Sequence, residues 1–353
     1  MRLLCVSTPV GPLGSGLGGG VELTLRHLVR ALQQRGHTLQ VIAPQGSVFP
    51  EAPVIPVSGV GQPLAQNQPR DAAITLPADP VLGRMWWVVR EQPWDVAINL
   101  AYDWLPLYLT PFFDRPVVHL LSMGSLVDYL DGVLAELLAL RPHSVAMHTR
   151  AQAATFGEAI ARRVTVVGNG LDLDQYHFCG EPEPVLAWVG RIAPEKGLTD
   201  ALEVARQTGY PLRIMGAMAD RDYWQQVCRQ FPEAAAYYQG FLPTDQLQAR
   251  LRTCLALLVT PHWVEAFGNV VMEALACGVP VIAYATGGPG ELVRSEETGW
   301  LVPPGQVSAM VQAVGRIQAI DRRRCRQQAE QEFSLAAFGQ RLEQWLLQNR
   351  SIT

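Results

Sequence analysis

At 353 residues, 48% apolar and 17% charged, the chain has the make-up of a compact globular protein and the length of two ordinary domains. A formal net charge of −4 supplies no electrostatic footprint for nucleic acid or an anionic membrane, and no apolar run approaches the roughly 18 residues of a membrane span. Six cysteines scattered without a C-x2-C pair read as small core residues of a reduced, cytoplasmic protein, not as disulfides or metal ligands.

From the N-terminus, residues 2–7 form a short apolar strand, too short for a signal-peptide core. A glycine-rich loop from Gly11 to Gly20 follows, then a helix carrying Val21, Leu25, Leu28, Val29 and Leu32 and closed by Arg35-Gly36. Leu39-Gln40-Val41-Ile42-Ala43 is the next strand. This β-α-β opening contains Gly14-x-Gly16-x-x-Gly19, the spacing of a dinucleotide fingerprint. The glycines lie well beyond the first strand, however, and the second strand ends in Ala43-Pro44-Gln45 with no acid for an adenosine ribose, which disfavours an NAD enzyme. A loop whose last glycines let backbone approach a diphosphate fits better.

Residues 46–80 are rich in Pro, Gly and Gln and predict an irregular excursion with one strand near Val54-Ile55. A helix over Val81–Val89 bears Trp86 and Trp87. Residues 95–100 and 116–121 predict buried parallel strands, joined by a segment with Tyr102 and Trp104, and a helix spans 127–140. Residues 144–147 and 164–167 complete the first half, whose strand–helix alternation argues for a doubly wound parallel sheet. After Gly180-Glu181-Pro182-Glu183-Pro184 the alternation restarts, with strands at 185–189, 212–215, 237–239, 254–259 and 279–283. Residues 286–293 and 299–302 read as turns closing the sheet. Phe338, Leu342, Trp345 and Leu346 then fall at helical spacing in the tail.

Two loops of the second half carry chemistry. Gly190-Arg191-Ile192-Ala193-Pro194-Glu195-Lys196-Gly197 puts two cations at a strand's C-terminal end, Arg as a planar fork and Lys as a movable point charge, both suited to a diphosphate. Thr260 to Gly278 places Glu265 before, and Glu273 inside, a helix starting near Gly268. That helix N-terminus favours an anion. Glu273, about one turn in, can accept from two neighbouring hydroxyls such as those of a ribose, and Glu265 is placed for a sugar attached to the phosphates. A paired-carboxylate glycosidase is the alternative use of two glutamates, but their different placement relative to the helix argues against it.

The E-x7-E pattern, the G-R-x-x-x-E-K-G loop and the segment Gly168-Asn169-Gly170-Leu171-Asp172, where Gly168 stands for a usual proline, together resemble retaining glycosyltransferases of family 4. The resemblance covers both halves, with its specific motifs concentrated in 166–305. It implies the GT-B fold, an α/β architecture of two Rossmann-like doubly wound parallel sheets facing a central cleft. Residues 1–170 would be an acceptor domain, with a helix over 335–353 packing back on it, and 171–334 a nucleotide-sugar donor domain. It also implies transfer of a hexose, glucose first, from a UDP-sugar with retention, the leaving phosphate itself taking the acceptor's proton. Glu265, Arg191 and Lys196 would be catalytic. Gly19 and Gly20 of Gly19-Gly20-Val21-Glu22 would touch the donor phosphates, together with Gly190. Phe241 and Leu242 would lie at the base, and Ala266, Phe267, Gly268, Asn269, Val270 and Glu273 would complete the donor site.

No Asp-x-Asp directly follows a strand and there is no His/Cys cluster, so a mechanism without a metal or other cofactor is expected, the UDP-sugar being a co-substrate. The family's histidine after the strand ending near Leu121 is missing. Ser122-Met123-Gly124-Ser125 stands there, and His119 falls three residues early. Gly16, His119, Ser122 and Met123 are the acceptor-side candidates. The run from Ser7 to Glu22 resembles cyanobacterial pteridine glycosyltransferases, which implies tetrahydrobiopterin or a related pterin as acceptor, beside the aromatic Trp86, Trp87, Trp94, Tyr102 and Trp104. A sugar or lipid-linked acceptor is one alternative, and a nucleotide-sugar-binding protein without transfer activity is another. No nucleic-acid partner and no stable membrane insertion are expected.

Overall fold

The computed structural model describes residues 1–62 and 68–350. Part of the excursion expected over 46–80, and the last three residues of the expected final helix, lie outside the described residues. Contacts divide the chain into two compact units, Met1–Gly170 with Leu335–Thr353, and Leu171–Ser334.

The first unit is a sheet of seven parallel strands. They are β1 (Arg2–Val6), β2 (Thr38–Pro44), β3 (Val54–Val57), β4 (Val96–Asn99), β5 (Val117–Leu121), β6 (Val145–Met147) and β7 (Thr165–Val166), in the order β3-β2-β1-β4-β5-β6-β7. Cys5 sits opposite Val41 on one side and Ile98 on the other. Strands such as β4 and β5 are buried along their whole length because helices cover both faces, which is why they read as unbroken apolar runs. The chain leaves β1 for β2 on one side and reaches β4 on the other. The crevice of this switch point therefore opens at the C-terminal ends of β1 and β4.

Helix Leu335–Arg350 belongs to this unit. Phe338, Leu342, Trp345 and Leu346 enter the same core as Leu28 and Leu32 of helix Gly20–Gln34. Gly339 lets the two helices close up, since a Cβ there would stand 2.9 Å from the Ala31 carbonyl oxygen. Arg341 donates to the Val167 carbonyl at 2.7 Å, and the Trp345 indole donates to the His143 carbonyl at 2.7 Å.

The second unit is a five-stranded parallel sheet of β8 (Leu186–Val189), β9 (Leu212–Met215), β10 (Ala256–Val259), β11 (Val281–Tyr284) and β12 (Gly299–Val302), in the order β12-β11-β10-β8-β9. Leu258 pairs with Ile282 on one side and Trp188 on the other. Its switch point lies between β8 and β10, so the loops that leave these two strands share one crevice.

Three expectations are corrected. Residues 237–239 are not a strand: three alanines carry the chain into the short helix Ala234–Tyr237, and Tyr238 makes only an isolated bridge to Ile214. Residues 299–302 are the edge strand β12, and Gly287–Leu292 is a helix rather than a turn. Among the described residues no helix is long and apolar enough to cross a membrane, and all six cysteines are free.

Candidate donor and acceptor sites

The second unit brings its two predicted loops together at the switch point. After β8, Gly190 passes so close to β9 that a Cβ on Gly216 would stand 1.8 Å from the Gly190 carbonyl oxygen. After β10, Thr260 Oγ accepts from the Trp188 indole at 3.3 Å and donates to the Gly197 carbonyl at 2.8 Å, locking one loop against the other. Gly197 is required there. Its φ is 66°, and a Cβ would stand 1.8 Å from the Thr260 carbonyl oxygen.

This lock sets the reactive side chains. Lys196 Nζ donates to Glu265 Oε2 at 2.5 Å, both side chains being largely buried, and the Trp263 indole donates to the same oxygen at 3.1 Å. The ammonium also sits 4.9 Å from the centre of the Trp263 ring. Arg191 is more exposed and pairs with Glu195 at 3.1 Å. Ala266 and Phe267 lead into helix Asn269–Ala276, whose start at Gly268 (φ 90°) leaves Asn269 and Val270 in the first turn. Phe267 is buried in the unit's core and meets Phe333 edge to face.

Behind this loop lies a support that sequence reasoning missed. Gly287 and Gly288 press against it: Gly288 N–H donates to the Glu265 carbonyl at 2.7 Å, and a Cβ on Gly288 would stand 2.0 Å from the Phe267 carbonyl oxygen. The Gly-Gly pair was the available signal, since two adjacent glycines at a helix start permit such close backbone approach. A second support is Asp200, which accepts from the Tyr284 hydroxyl at 2.5 Å and contacts His262 Nε2 at 3.0 Å.

Glu273 differs from Glu265. It is 6% exposed, and burial pushes its carboxyl up to about 7, although the Tyr176 hydroxyl donates to it at 3.1 Å. Phe241 is exposed and Leu242 packs on the core below it. Among the described residues no group of three or more His, Cys, Asp or Glu is gathered as a metal site would need.

In the first unit, Gly16 (φ 80°), Gly19 (φ 55°) and Gly20 lie in or at the end of the glycine loop. Glu22 turns back on that loop and accepts from Gly14 N–H and Gly18 N–H, each at 3.0 Å, so its carboxylate fixes the loop's shape. His119 is corrected. It is fully buried in β5: the Asn99 amide donates to Nδ1 at 3.2 Å, which leaves Nε2–H to donate to Thr110 Oγ at 2.8 Å. Burial drives its pKa down to about 3, and both ring nitrogens are taken, so it has none left for an acceptor.

Ser122 and Met123 do lie at the C-terminal end of β5, half-buried. Buried Gln152 holds them. Its amide donates to the Leu121 and Met123 carbonyls at 2.7 and 3.0 Å, and its oxygen accepts from His148 N–H at 2.8 Å. Of the aromatic residues, Trp86 and Trp94 are core, whereas Trp87 is exposed with Arg90 over its ring.

Residues 173–332 match the family described as glycosyl transferases group 1. That span is almost the whole second unit and contains Gly190, Arg191, Lys196, Phe241, Leu242, Glu265 and Glu273. A glycogen synthase of Mycobacterium tuberculosis is 27% identical over 89% of this chain and 85% of its own length. The 2-deoxystreptamine N-acetyl-D-glucosaminyltransferase of Streptomyces fradiae is 36% identical over a shorter stretch, so the match spans 37% of this chain and only 33% of that relative. Among solved structures, an Anabaena protein in complex with UDP-glucose superposes with a TM-score of 0.72 at 19% identity, covering 99% of this chain and 100% of that one. The fold is GT-B.

Proposed function

We propose that the protein is a retaining glycosyltransferase that moves a hexose, glucose first, from its UDP derivative to a small hydroxylated acceptor in the cytoplasm, the acceptor being tetrahydrobiopterin or a related pterin. The observation that carries the donor half is the convergence of Arg191, Lys196, Glu265 and the N-terminus of helix Asn269–Ala276 on one switch-point crevice. Breaking a sugar–phosphate bond leaves charge on the departing phosphate. Two cations and the positive end of a helix meet that charge without a resident metal.

In the paired state, Lys196 neutralises Glu265. A diphosphate in the crevice competes for the ammonium and frees the Glu265 carboxylate to take sugar hydroxyls. Glu273 accepts from the ribose. The match to the glycosyl transferases group 1 over 173–332 and the likeness to a protein solved with UDP-glucose support this reading. The pterin acceptor is supported by the run from Ser7 to Glu22 in the glycine loop.

The test is mass spectrometry of the protein incubated with UDP-glucose and tetrahydrobiopterin in the presence of a chelator. A product one hexose heavier than the pterin, with UDP released, is expected. UDP release without a pterin product would reject the pterin and keep the donor. Failure to bind UDP would reject the donor assignment.

A further inference from the structure

In the second unit, Trp263 touches both members of the Lys196–Glu265 pair. Its indole N–H donates to Glu265 Oε2 at 3.1 Å, and the Lys196 ammonium, 2.5 Å from that same oxygen, lies 4.9 Å from the centre of the indole ring. Both donors therefore meet on Oε2. Glu265 Oε1 has no hydrogen-bond partner among the described residues and is not sealed from solvent. One oxygen of the carboxylate is held, and the other is open to a ligand.

The two donors differ in what else they can bind. Lys196 is a point charge on a flexible four-carbon stem, and a diphosphate draws it more strongly than a single carboxylate does. The indole N–H is a neutral donor whose direction is fixed by the plane of its ring. The loop fixes that ring in turn. On one side His262 N–H donates to the Glu195 carbonyl at 2.9 Å, and His262 Nε2 contacts Asp200 Oδ2 at 3.0 Å. On the other, Gly288 N–H donates to the Glu265 carbonyl at 2.7 Å. Trp263 thus stands between two anchored residues. Without the ammonium, the indole N–H is the donor that remains on the Glu265 carboxylate among the described residues.

We propose that Trp263 positions Glu265 for the hexose of the donor: its indole N–H keeps Oε2 in place once Lys196 has turned to the diphosphate, so that Oε1 accepts from the sugar hydroxyls. This rests on reading the protein as a glycosyltransferase, and it concerns the second unit alone. Trp263 touches neither sugar nor phosphate and acts only through Glu265. Its ring face has a separate part, giving the ammonium a place beside the crevice before a diphosphate arrives. Substitution separates the two parts, because phenylalanine keeps a ring face and lacks the N–H.

Calorimetry with UDP and with UDP-glucose tests this without an acceptor. Trp263→Phe is expected to weaken UDP-glucose about 10-fold and to leave UDP within about two-fold. In a Glu265→Ala background the same substitution should weaken UDP-glucose no further, since the group it positions is gone. A second readout does not depend on Trp263→Phe folding. The wild-type indole N–H resonance that moves in Glu265→Ala identifies Trp263, and it should stay protected from solvent exchange with UDP-glucose bound. Four results would each overturn the proposal: equal weakening of UDP and UDP-glucose, unchanged affinity for UDP-glucose, the same loss in the Glu265→Ala background, or an indole N–H that exchanges freely once UDP-glucose is bound. Failure of the wild type to bind UDP would instead overturn the glycosyltransferase reading, and the proposal with it.

Discussion

Glu273→Gln should remove a pH dependence from the stability of the second unit. The Glu273 carboxyl is 6% exposed, inside helix Asn269–Ala276, and its one stabilising contact toward the charged form is the Tyr176 hydroxyl at 3.1 Å. Burial outweighs that contact and lifts the carboxyl from 4.5 to about 7. Because the folded-state value is raised, the unfolded chain releases this proton first. The contribution to stability is full below about pH 4.5, declines as pH rises through the window, and is gone above about 7. Lifting the carboxyl from 4.5 to about 7 corresponds to about 3 kcal/mol across that window. Glutamine keeps the volume and the acceptor for Tyr176 but does not titrate. Urea unfolding without nucleotide, followed by tryptophan fluorescence from pH 4.5 to 8, should therefore show wild type losing about 3 kcal/mol more than the variant. The two should converge at the acid end. Parallel pH profiles would refute the reasoning, since they would mean that Glu273 ionises in the folded protein as readily as in the unfolded one.

Other consequences follow from the same geometry. If ribose hydroxyls donate to Glu273, UDP binding favours its charged form, so binding near pH 6 should release close to one proton; calorimetry in buffers of different ionisation heat reads this directly. If Arg191 and Lys196 each make a charge-assisted contact to the diphosphate, Arg191→Ala and Lys196→Ala should each weaken UDP by about 10- to 100-fold. Wild-type affinity in both would remove the phosphate role. Glu265→Ala should lower transfer by at least about 100-fold while UDP affinity stays within a few-fold, and unchanged turnover would remove Glu265 from the reaction. Gly288→Ala places a Cβ 2.0 Å from the Phe267 carbonyl oxygen, and should depress both stability and turnover by displacing the Glu265 loop. A melting temperature equal to that of wild type would show that the loop yields.

The strands were legible because they are buried on both faces. Runs such as Val96–Asn99 and Val117–Leu121 have no polar alternation to obscure them, and the order of strands and helices followed from their spacing. The loops after β8 and β10 stood out in the sequence because the residues that mark them are consecutive. What sequence could not supply was contact between distant residues. The pairing of Lys196 with Glu265 joins loops after different strands. The seat of Glu265 on Gly288 and the 3.0 Å contact of Ser122 Oγ with His148 Nε2 likewise join residues that only the sheet order makes neighbours. His119 misled because a lone histidine in an apolar strand gives no sign in sequence of whether its nitrogens face a ligand or Asn99 and Thr110. Residues 237–239 misled because two tyrosines favour a strand locally, whereas the alanines before them and a single bridge to Ile214 decided otherwise.

The placement of helix Leu335–Arg350 has a consequence for biosynthesis. The first unit's core includes Phe338, Leu342, Trp345 and Leu346, so its stretch of chain is interrupted by the whole of the second unit. Domains ordinarily fold in the order in which they leave the ribosome. Here the unit that begins first can close its core only after the whole of the second has been synthesised, while the second is one uninterrupted segment. Until the last helix arrives, the apolar stripe of Leu28 and Leu32 has no cover. A nascent or truncated chain would thus carry a finished second unit and an open first unit, and its hazard is aggregation through that stripe.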